Sequence, residues 1–486
     1  MPNISESKPE KITVRAYQVG FGDCFLLTFH YPEGYSDGKQ HILIDFWSTE
    51  SPTGKLKRSA MLRSIADDIK SRCGSKLRAV VATHRHADHI NGFGKGSGEI
   101  IAKCQPDFVL QPWTEDPAAA ADALGPASSQ AQEGPLALYG RPEDRRAFLG
   151  ALHETHAFAD LIRNELQSLQ ERKGCARDVI EHLRLLSLNN RGWKDPANKA
   201  AIDNLTTMGK KGRALYLSYG QGSQLDDLLP GVKVHVLGPP TLSQSQEISR
   251  QRSSDADEFW QFHVQGAKSS WLRLAGAMPR AGGPAALFDS PATVASQWAP
   301  QYARWFVRRM SSLRSEQLLE LVRILDGALN NTSLILLFEV GDQKLLFPGD
   351  AQLENWSYAL KHPAEQADNE KLLRQVTLYK VGHHGSRNAT PRSLWNLIKK
   401  DGLRCLVSTK AGRHGRADHN TEVPRESLVA ELQKYDYHST QGLEWMQAGP
   451  PPALDLPPIV PKYEGATLDG PGRTLPREST REFARR

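Results

Sequence analysis

The sequence predicts an α/β fold, and three observations carry this prediction. Short apolar runs typical of strands recur in both halves of the chain, helical patterns follow several of them, and histidine- and aspartate-rich segments stand directly after strands. The chain has 486 residues, of which 39% are hydrophobic and 24% charged, as in an ordinary globular protein. This composition excludes a mostly disordered chain, a collagen-like fibre and a small disulfide-stabilised scaffold.

The N-terminal part of the chain contains the first predicted strands and one predicted helix. Residues 14–29 form two strands joined by a tight glycine turn, and residues 41–46 form a third. Apolar side chains recur at helical spacing over residues 58–73, and Gly74 ends that helix. Residues 77–83 form a buried strand that leads directly into the most histidine-rich segment of the chain.

Polar segments separate the strands predicted further along the chain. Residues 113–210 and 241–328 contain helical stretches such as 147–169, so we predict two large, mainly helical insertions. Residues 448–486 are rich in proline and poor in large apolar side chains, and we expect an extended or disordered tail without its own core. The later predicted strands are 214–219, 232–237, 334–340, 344–347, 376–381 and 403–408.

Charge and cysteine usage set limits on the environment of the chain. The net charge of +6 permits an anionic partner but does not require one. The five cysteines are widely spaced and include no CxxC pair, which favours a reducing compartment. The sequence shows no secretory segment and no apolar run of the roughly 20 residues that a membrane span needs, so we expect a soluble, cytoplasmic protein with no membrane partner.

The densest chemical cluster is the segment 83–89, with the sequence THRHADH. In an extended stretch His84 and His86 share one face, so their imidazoles can hold one divalent metal ion. After the chain turns, Asp88 and His89 can be presented to a second ion close by. Imidazole and carboxylate ligands suit zinc, and also manganese and iron.

Two later segments can supply the remaining ligands. Asp350 follows the apolar hairpin 334–347, and a carboxylate at that strand end can bridge two cations. The strand 376–381 leads into a pair of histidines, His383 and His384, between two glycines. Three ligand-bearing segments, each at a strand end, predict a metal site where the strand ends meet.

The ordered segments LIDF, THRHADHING, PPT followed by NNTSLILL, LLFPGDA and VGHHGS resemble the metallo-β-lactamase-fold hydrolases. The likeness is greatest to the hydrolase domain of the ComEC-type DNA-uptake competence proteins and their stand-alone relatives, and the opening VGFGDC also matches that branch. The resemblance implies a four-layer αβ/βα sandwich with a dinuclear site at one edge of the paired sheets. We therefore expect a hydrolase domain over 12–447, with its core in 12–112, 211–240 and 329–447.

Carried over to this chain, the resemblance implies a set of roles. His84 and His86 hold the first ion, Asp88 and His89 the second, and Asp350 bridges them. His383 is favoured over His384 as the last ligand, because it directly follows the strand and its glycine. The assigned catalytic residues are Asp88, Asp350, His384 and His419; the hydrogen-bond partners behind the ligands are Asp45, Asn331 and Ser386; the substrate-binding residues are Lys410, Arg413, Arg416 and Asn420.

The chain departs from the wider superfamily at Asn330 and Asn331, where most members have a histidine for the first ion. Because Asn is a poorer ligand, we expect this ion to bind weakly or to be manganese, whereas His86, where ComEC-type proteins commonly have Asp, favours zinc. Elsewhere in the chain, His235 and His263 are interpreted as structural histidines. The expected cofactors are two divalent ions, zinc first and manganese as the alternative.

The expected activity is hydrolysis by hydroxide generated between two metal ions. A phosphodiesterase or nuclease acting on DNA or RNA is favoured, because the loop 410–419 is basic and Arg304 to Arg309 alternate basic and aromatic side chains. A small-molecule hydrolase of a lactone, ester, thioester or phosphocholine-type substrate is the alternative. A catalytically silent binding protein is the third hypothesis. The sequence indicates no oligomeric state.

Overall fold

The computed structural model describes ten stretches of the chain, and together they form two β-sheets with accompanying helices. All structural statements below concern these residues. The predicted helical stretches 147–169, 303–309 and 316–325 lie outside them. The described residues are 7–34, 38–47, 57–120, 123–127, 199–245, 329–362, 366–386, 389–412, 422–445 and 449–463.

The first sheet has seven strands in the order β13-β1-β2-β3-β4-β5-β6. The strands β3 to β6 run parallel, whereas β1, β2 and β13 pair antiparallel with their neighbours. The strands are β1 Lys11–Tyr17, β2 Phe25–His30, β3 Lys39–Ile44, β4 Ala79–Val81, β5 Phe108–Pro112, β6 Arg213–Leu217 and β13 Ala453–Asp455.

The second sheet has six strands in the order β12-β11-β10-β9-β8-β7. The strands β9 to β12 run parallel, and β7 and β8 form antiparallel pairs at the other side. The strands are β7 Lys233–Gly238, β8 Ile335–Val340, β9 Gln343–Phe347, β10 Leu378–Lys380, β11 Arg404–Val407 and β12 Asp436–Ser439.

Alternation along the strands separates the two faces of each sheet. In β8, Leu336, Phe338 and Val340 belong to a core shared by both sheets, whereas Ile335 and Leu337 pack with the helices of the second sheet. This period of two is what a strand buried on both faces requires. The two sheets therefore pack face to face, with helices on their outer sides.

The helices fall into two groups, one on each sheet. α1, α3 and α4 pack on the first sheet, and α5 to α8 contribute buried side chains to the core of the second. These observations confirm the α/β class. The helices are α1 Arg58–Arg72, α2 Ala87–Ile90, α3 Ser97–Ala102, α4 Lys199–Lys211, α5 Leu353–Lys361, α6 Gln366–Arg374, α7 Arg392–Leu397 and α8 Glu426–Leu432.

Two segments pack more closely with the core than the sequence suggests. α4 lies in the segment interpreted as an insertion, yet its residues Ala201, Leu205 and Met208 are buried against the first sheet. The start of the proline-rich tail supplies β13, which pairs with β1, and Ile459 is buried in the core between the sheets. The described part of this segment, 449–463, thus joins the existing core.

None of the helices in the described stretches is both long and apolar enough to cross a membrane.

Candidate metal centre

The ends of four strands meet at one edge of the paired sheets. Within each sheet the parallel strands bring their carboxyl ends to the same edge. Asp45 follows β3, the segment 83–89 follows β4, Asp350 follows β9, and His384 follows β10. Residues more than 300 positions apart along the chain are therefore neighbours at this edge.

Four of these side chains form a compact cluster. The ligand atoms of Asp88, His89, Asp350 and His384 all lie within 4.8 Å of one another, and all four residues are buried. His89 Nε2 lies 3.0 Å from Asp350 Oδ2, and His384 Nε2 lies 3.3 Å from Asp88 Oδ2. Two imidazoles and two carboxylates converge on one point, as a site for a divalent ion requires.

The other two histidines of the motif lie beside this cluster. His84 Nε2 and His86 Nδ1 are 2.9 Å apart, and the rings of His84 and His89 are centred 4.2 Å apart. Burial lowers the pKa of His86, and the carboxylates of Asp88 and Asp350, together with the completely buried Asn330 side chain, oppose this shift. Asn330 thus lies near His86, at the position where the sequence lacks a third histidine.

Asp45 lies behind the motif and contacts two of its residues. Its carboxylate accepts a hydrogen bond of 2.8 Å from the backbone N–H of Thr83 and one of 2.7 Å from the Thr83 hydroxyl. His89 Nδ1 lies 2.8 Å from Asp45 Oδ2. Since this contact engages Nδ1, Nε2 of His89 is left to face the cluster, which is the usual support for a metal-binding histidine.

His384, rather than His383, is the histidine that enters the cluster. Nδ1 of His384 donates to the Ser408 carbonyl at 3.0 Å, which directs Nε2 towards Asp88. His383 lies at the rim, with 23% of its side chain exposed and Nε2 3.8 Å from Asp350 Oδ2. His383 is the histidine expected from the sequence, because it directly follows the strand and its glycine. The turn instead places the second histidine, His384, in the cluster.

That turn uses backbone conformations that are rare for side-chain-bearing residues. His383 and His384 have φ values of 44° and 53°, and Asp45 has a φ of 53°. Such left-handed backbone costs about 1–3 kcal/mol for a residue other than glycine and concentrates at functional sites. The three residues share one edge of the sheets, so the unusual backbone and the polar cluster coincide.

Asp23 and Lys380 were not assigned roles from the sequence, yet both lie in the centre. The Asp23 carboxylate contacts the Lys380 ammonium, and each side chain is only 1% exposed. Asp23 reaches this position because Gly22, with a φ of 152°, lets the backbone pass close to Asp88; a Cβ on Gly22 would lie 2.1 Å from the Trp47 carbonyl oxygen. Lys380 is a charged residue at the end of the buried strand β10, and that charge was the available signal.

The charges around the centre shift its pKa values in opposite directions. Burial lowers the pKa of His89, but the carboxylates of Asp350 and Asp45 outweigh burial and hold this pKa well above its usual range. Burial raises the pKa of Asp350, but neighbouring histidines, His89 foremost, outweigh burial and hold this pKa well below its usual range. For His84, burial dominates and lowers the pKa.

The donor set fits a metal ion on two further grounds. Among the described residues, none donates a hydrogen bond to Asp88 Oδ1 or to Asp350 Oδ1, although both atoms are buried. The four buried carboxylates of Asp23, Asp45, Asp88 and Asp350 share the centre with the Lys380 ammonium and with His89 and His384, whose pKa values these carboxylates raise against the effect of burial. Buried charge of this size requires compensation by cations.

The remaining predicted residues lie near or outside this centre. Asn331 Nδ2 donates to Glu354 Oε2 at 3.0 Å, and Ser386 is buried directly after the histidine turn. Lys410 is partly exposed after β11, and His235 pairs with Glu339 at 2.7 Å, as a structural histidine does. The residues outside the described stretches are Arg413, Arg416, His419, Asn420 and His263.

A cavity of about 1220 Å³ lies among the helices of the second sheet. Its lining includes Gln352, which follows Asp350 closely in the chain, and residues of α7 and α8. Arg392 and Lys399 are exposed and contribute positive charge to it. The backbone N–H of Arg425, another lining residue, donates to the Gly385 carbonyl at 2.9 Å and so links the cavity to the histidine turn.

Neither the models of known protein families nor the curated proteins yield a match to this chain.

Proposed function

We propose that this chain is a metal-dependent hydrolase of the metallo-β-lactamase fold that cleaves phosphodiester bonds in nucleic acids. The observation that carries the proposal is the buried cluster of Asp88, His89, Asp350 and His384, whose ligand atoms come from three separate strand ends and lie within 4.8 Å of one another. The two sheets with helices on their outer sides, and a site at one edge, are what that fold would give.

In this proposal the centre holds two divalent ions in unequal sites. Asp88, His89, Asp350 and His384 hold one ion, and His384 takes the role that the sequence favoured for His383. His84 and His86 hold the other, with Asp350 between the two. Because Asn330 stands beside His86 in place of a histidine, the second of these sites binds more weakly. Zinc is the favoured ion and manganese the alternative.

The chemistry divides between the ions and the side chains. Divalent ions supply Lewis acidity and lower the pKa of bound water towards neutrality. Asp45 fixes the orientation of His89, and the Ser408 carbonyl fixes that of His384. His383, at the rim and 3.8 Å from Asp350, is placed to hold a proton at Nε2 for a departing oxygen.

The cavity supports a polymeric substrate over a small molecule. Its volume of about 1220 Å³ is above the roughly 300–1,000 Å³ of pockets that enclose one small ligand. Arg392 begins α7 and Lys399 follows its end, and both side chains line the cavity. Exposed cations that line this cavity suit the backbone of a single-stranded nucleic acid.

The first experiment tests cleavage directly. Purified protein is incubated with labelled single- and double-stranded DNA and RNA, with zinc or with manganese. We expect metal-dependent cutting that is lost in Asp88→Ala and kept in Asp227→Ala, a control at an exposed position. Two bound ions without cutting of any nucleic acid would favour the small-molecule hydrolase, and a protein that binds no metal would favour the silent binding protein.

The second experiment tests whether the cavity binds nucleic acid. Arg392→Glu combined with Lys399→Glu should weaken binding of a labelled single-stranded oligonucleotide. If each cation contacts one phosphate, the slope of log affinity against log salt should fall by about 1.4, since each single-strand contact contributes roughly 0.7. Lys103→Glu combined with Lys210→Glu makes the same charge change at exposed positions of the first sheet's helix layer and should leave the slope unchanged. Equal slopes in both double variants would contradict nucleic-acid binding at the cavity.

A further inference from the structure

A second group of potential ligands lies directly behind the metal cluster. The ligand atoms of Asp23, Asp45 and His89 also lie within 4.8 Å of one another, and all three residues are buried. His89 belongs to both groups, since Nδ1 faces Asp45 at 2.8 Å and Nε2 faces Asp350 at 3.0 Å. By residue type alone, this inner group is as suited to a cation as the outer one.

The inner group already has a cation, the ammonium of Lys380. This ammonium contacts the Asp23 carboxylate, donates to the Gly349 carbonyl at 3.4 Å and lies 4.0 Å from Asp350 Oδ1. Asp23 in turn lies 3.8 Å from His89 Nδ1 and 3.5 Å from His384 Nδ1. Lys380 therefore stands on the inner side of the same histidines and carboxylates that converge on the outer cluster.

We propose that Lys380 is a built-in cation that fills the inner group and thereby confines metal ions to the outer side of the centre. This inference rests on the proposed metal centre. An ammonium on a strand residue cannot be exchanged for a metal ion, so among the described residues of the centre it leaves the outer cluster and the His84–His86 pair to bind metal. Lys380 acts through Asp23 and Asp350 and is a positioning residue.

The experiment counts metal ions per chain. Full-length wild type and variants are stripped with a chelator, dialysed against zinc or manganese, and measured by inductively coupled plasma mass spectrometry. Lys380→Met frees Asp23 as a ligand, so we expect it to bind one ion more than wild type. Lys380→Gln removes the charge but keeps a donor for Asp23. It is therefore the variant to use if Lys380→Met does not fold, and it should gain the same ion.

Two controls separate this effect from a loss of packing. Lys344→Met removes another buried, paired lysine from the second sheet, away from the centre, and should keep the wild-type count. Lys380→Met combined with Asp23→Asn removes the freed carboxylate and should return to the wild-type count. Metal-loaded wild type with an unchanged count in the Lys380 variants overturns this inference alone, whereas wild type that binds no metal overturns the proposed function.

Discussion

A buried histidine lies at each end of the first sheet, and the charged side chains around the two histidines differ in sign. At one end His89 lies between the carboxylates of Asp45 and Asp350. At the other, His41 bonds to the Thr28 hydroxyl at 2.9 Å, with Lys39 and His30 nearby. His89 is fully buried and His41 is 6% exposed, so the degree of burial hardly distinguishes them.

The neighbouring charges, rather than burial, decide what each histidine can do. Burial, reinforced by His30 and Lys39, lowers the pKa of His41 to about 4, which keeps the ring neutral and structural. At the other end the carboxylates reverse the effect of burial on His89. A buried histidine becomes a candidate ligand where carboxylates outnumber cations, and this comparison can be tested at both ends.

The largest expected effect comes from neutralising the acidic end. Asp350→Asn removes one charge at nearly constant shape and should lower kcat/KM for nucleic-acid cleavage about 10³-fold, equivalent to roughly 4 kcal/mol of transition-state stabilisation. Steady-state kinetics at saturating metal measure it. Glu339→Gln makes the same change in the second sheet, where Glu339 pairs with Lys344, and should leave the rate unaltered. Comparable losses in both variants would mean that the position of the carboxylate does not matter.

The second effect concerns stability at the His41 end. The unfolded chain takes up a proton near pH 6.5, whereas folded His41 does so near pH 4. Between these values the unfolded state binds more protons, so the free energy of unfolding falls as the pH falls, by about 3 kcal/mol in total. Urea unfolding at pH 7 and pH 4 should show this loss in wild type and a smaller one in His41→Gln. An equal loss of unfolding free energy in wild type and His41→Gln would show that His41 is not its source.

The smallest effect is the pH dependence of metal binding. Without metal, the pKa of His89 is raised, so the ring carries a proton that an incoming ion must displace. Metal affinity should therefore rise about tenfold per pH unit for each proton released, and calorimetry in buffers of different ionisation enthalpy counts these protons. A pH-independent affinity would show that His89 is already neutral, as His41 is.

The sequence predicted the centre where its ligands are adjacent in the chain and missed it where they are solitary. The segment 83–89 is recognisable because four candidate ligands, three histidines and one aspartate, stand within six residues. Asp23 and Lys380 each stand alone among apolar or glycine residues, and only the approach of two distant strands pairs them. The choice between His383 and His384 depended on a left-handed turn that residue types alone do not specify.

The strands also divide into those that the sequence predicted and those that it did not. Long apolar runs such as those of β2 and β8 were predicted close to their observed bounds, because their own residues favour strands. By contrast β13 has three residues and was interpreted as part of a tail. It is a strand only because β1 offers it hydrogen-bond partners from the other end of the chain, a contact that no local pattern contains.

The position of β13 also has a consequence for solubility. Because β13 and the bridge between Ile12 and Ile459 cover β1, the row of N–H and C=O groups on that side of β1 is not open to another molecule. A chain cut after residue 448 would expose this row as a template for strand pairing between molecules. We therefore expect the proline-rich segment 449–463 to protect the protein against aggregation, independently of the function of the metal centre.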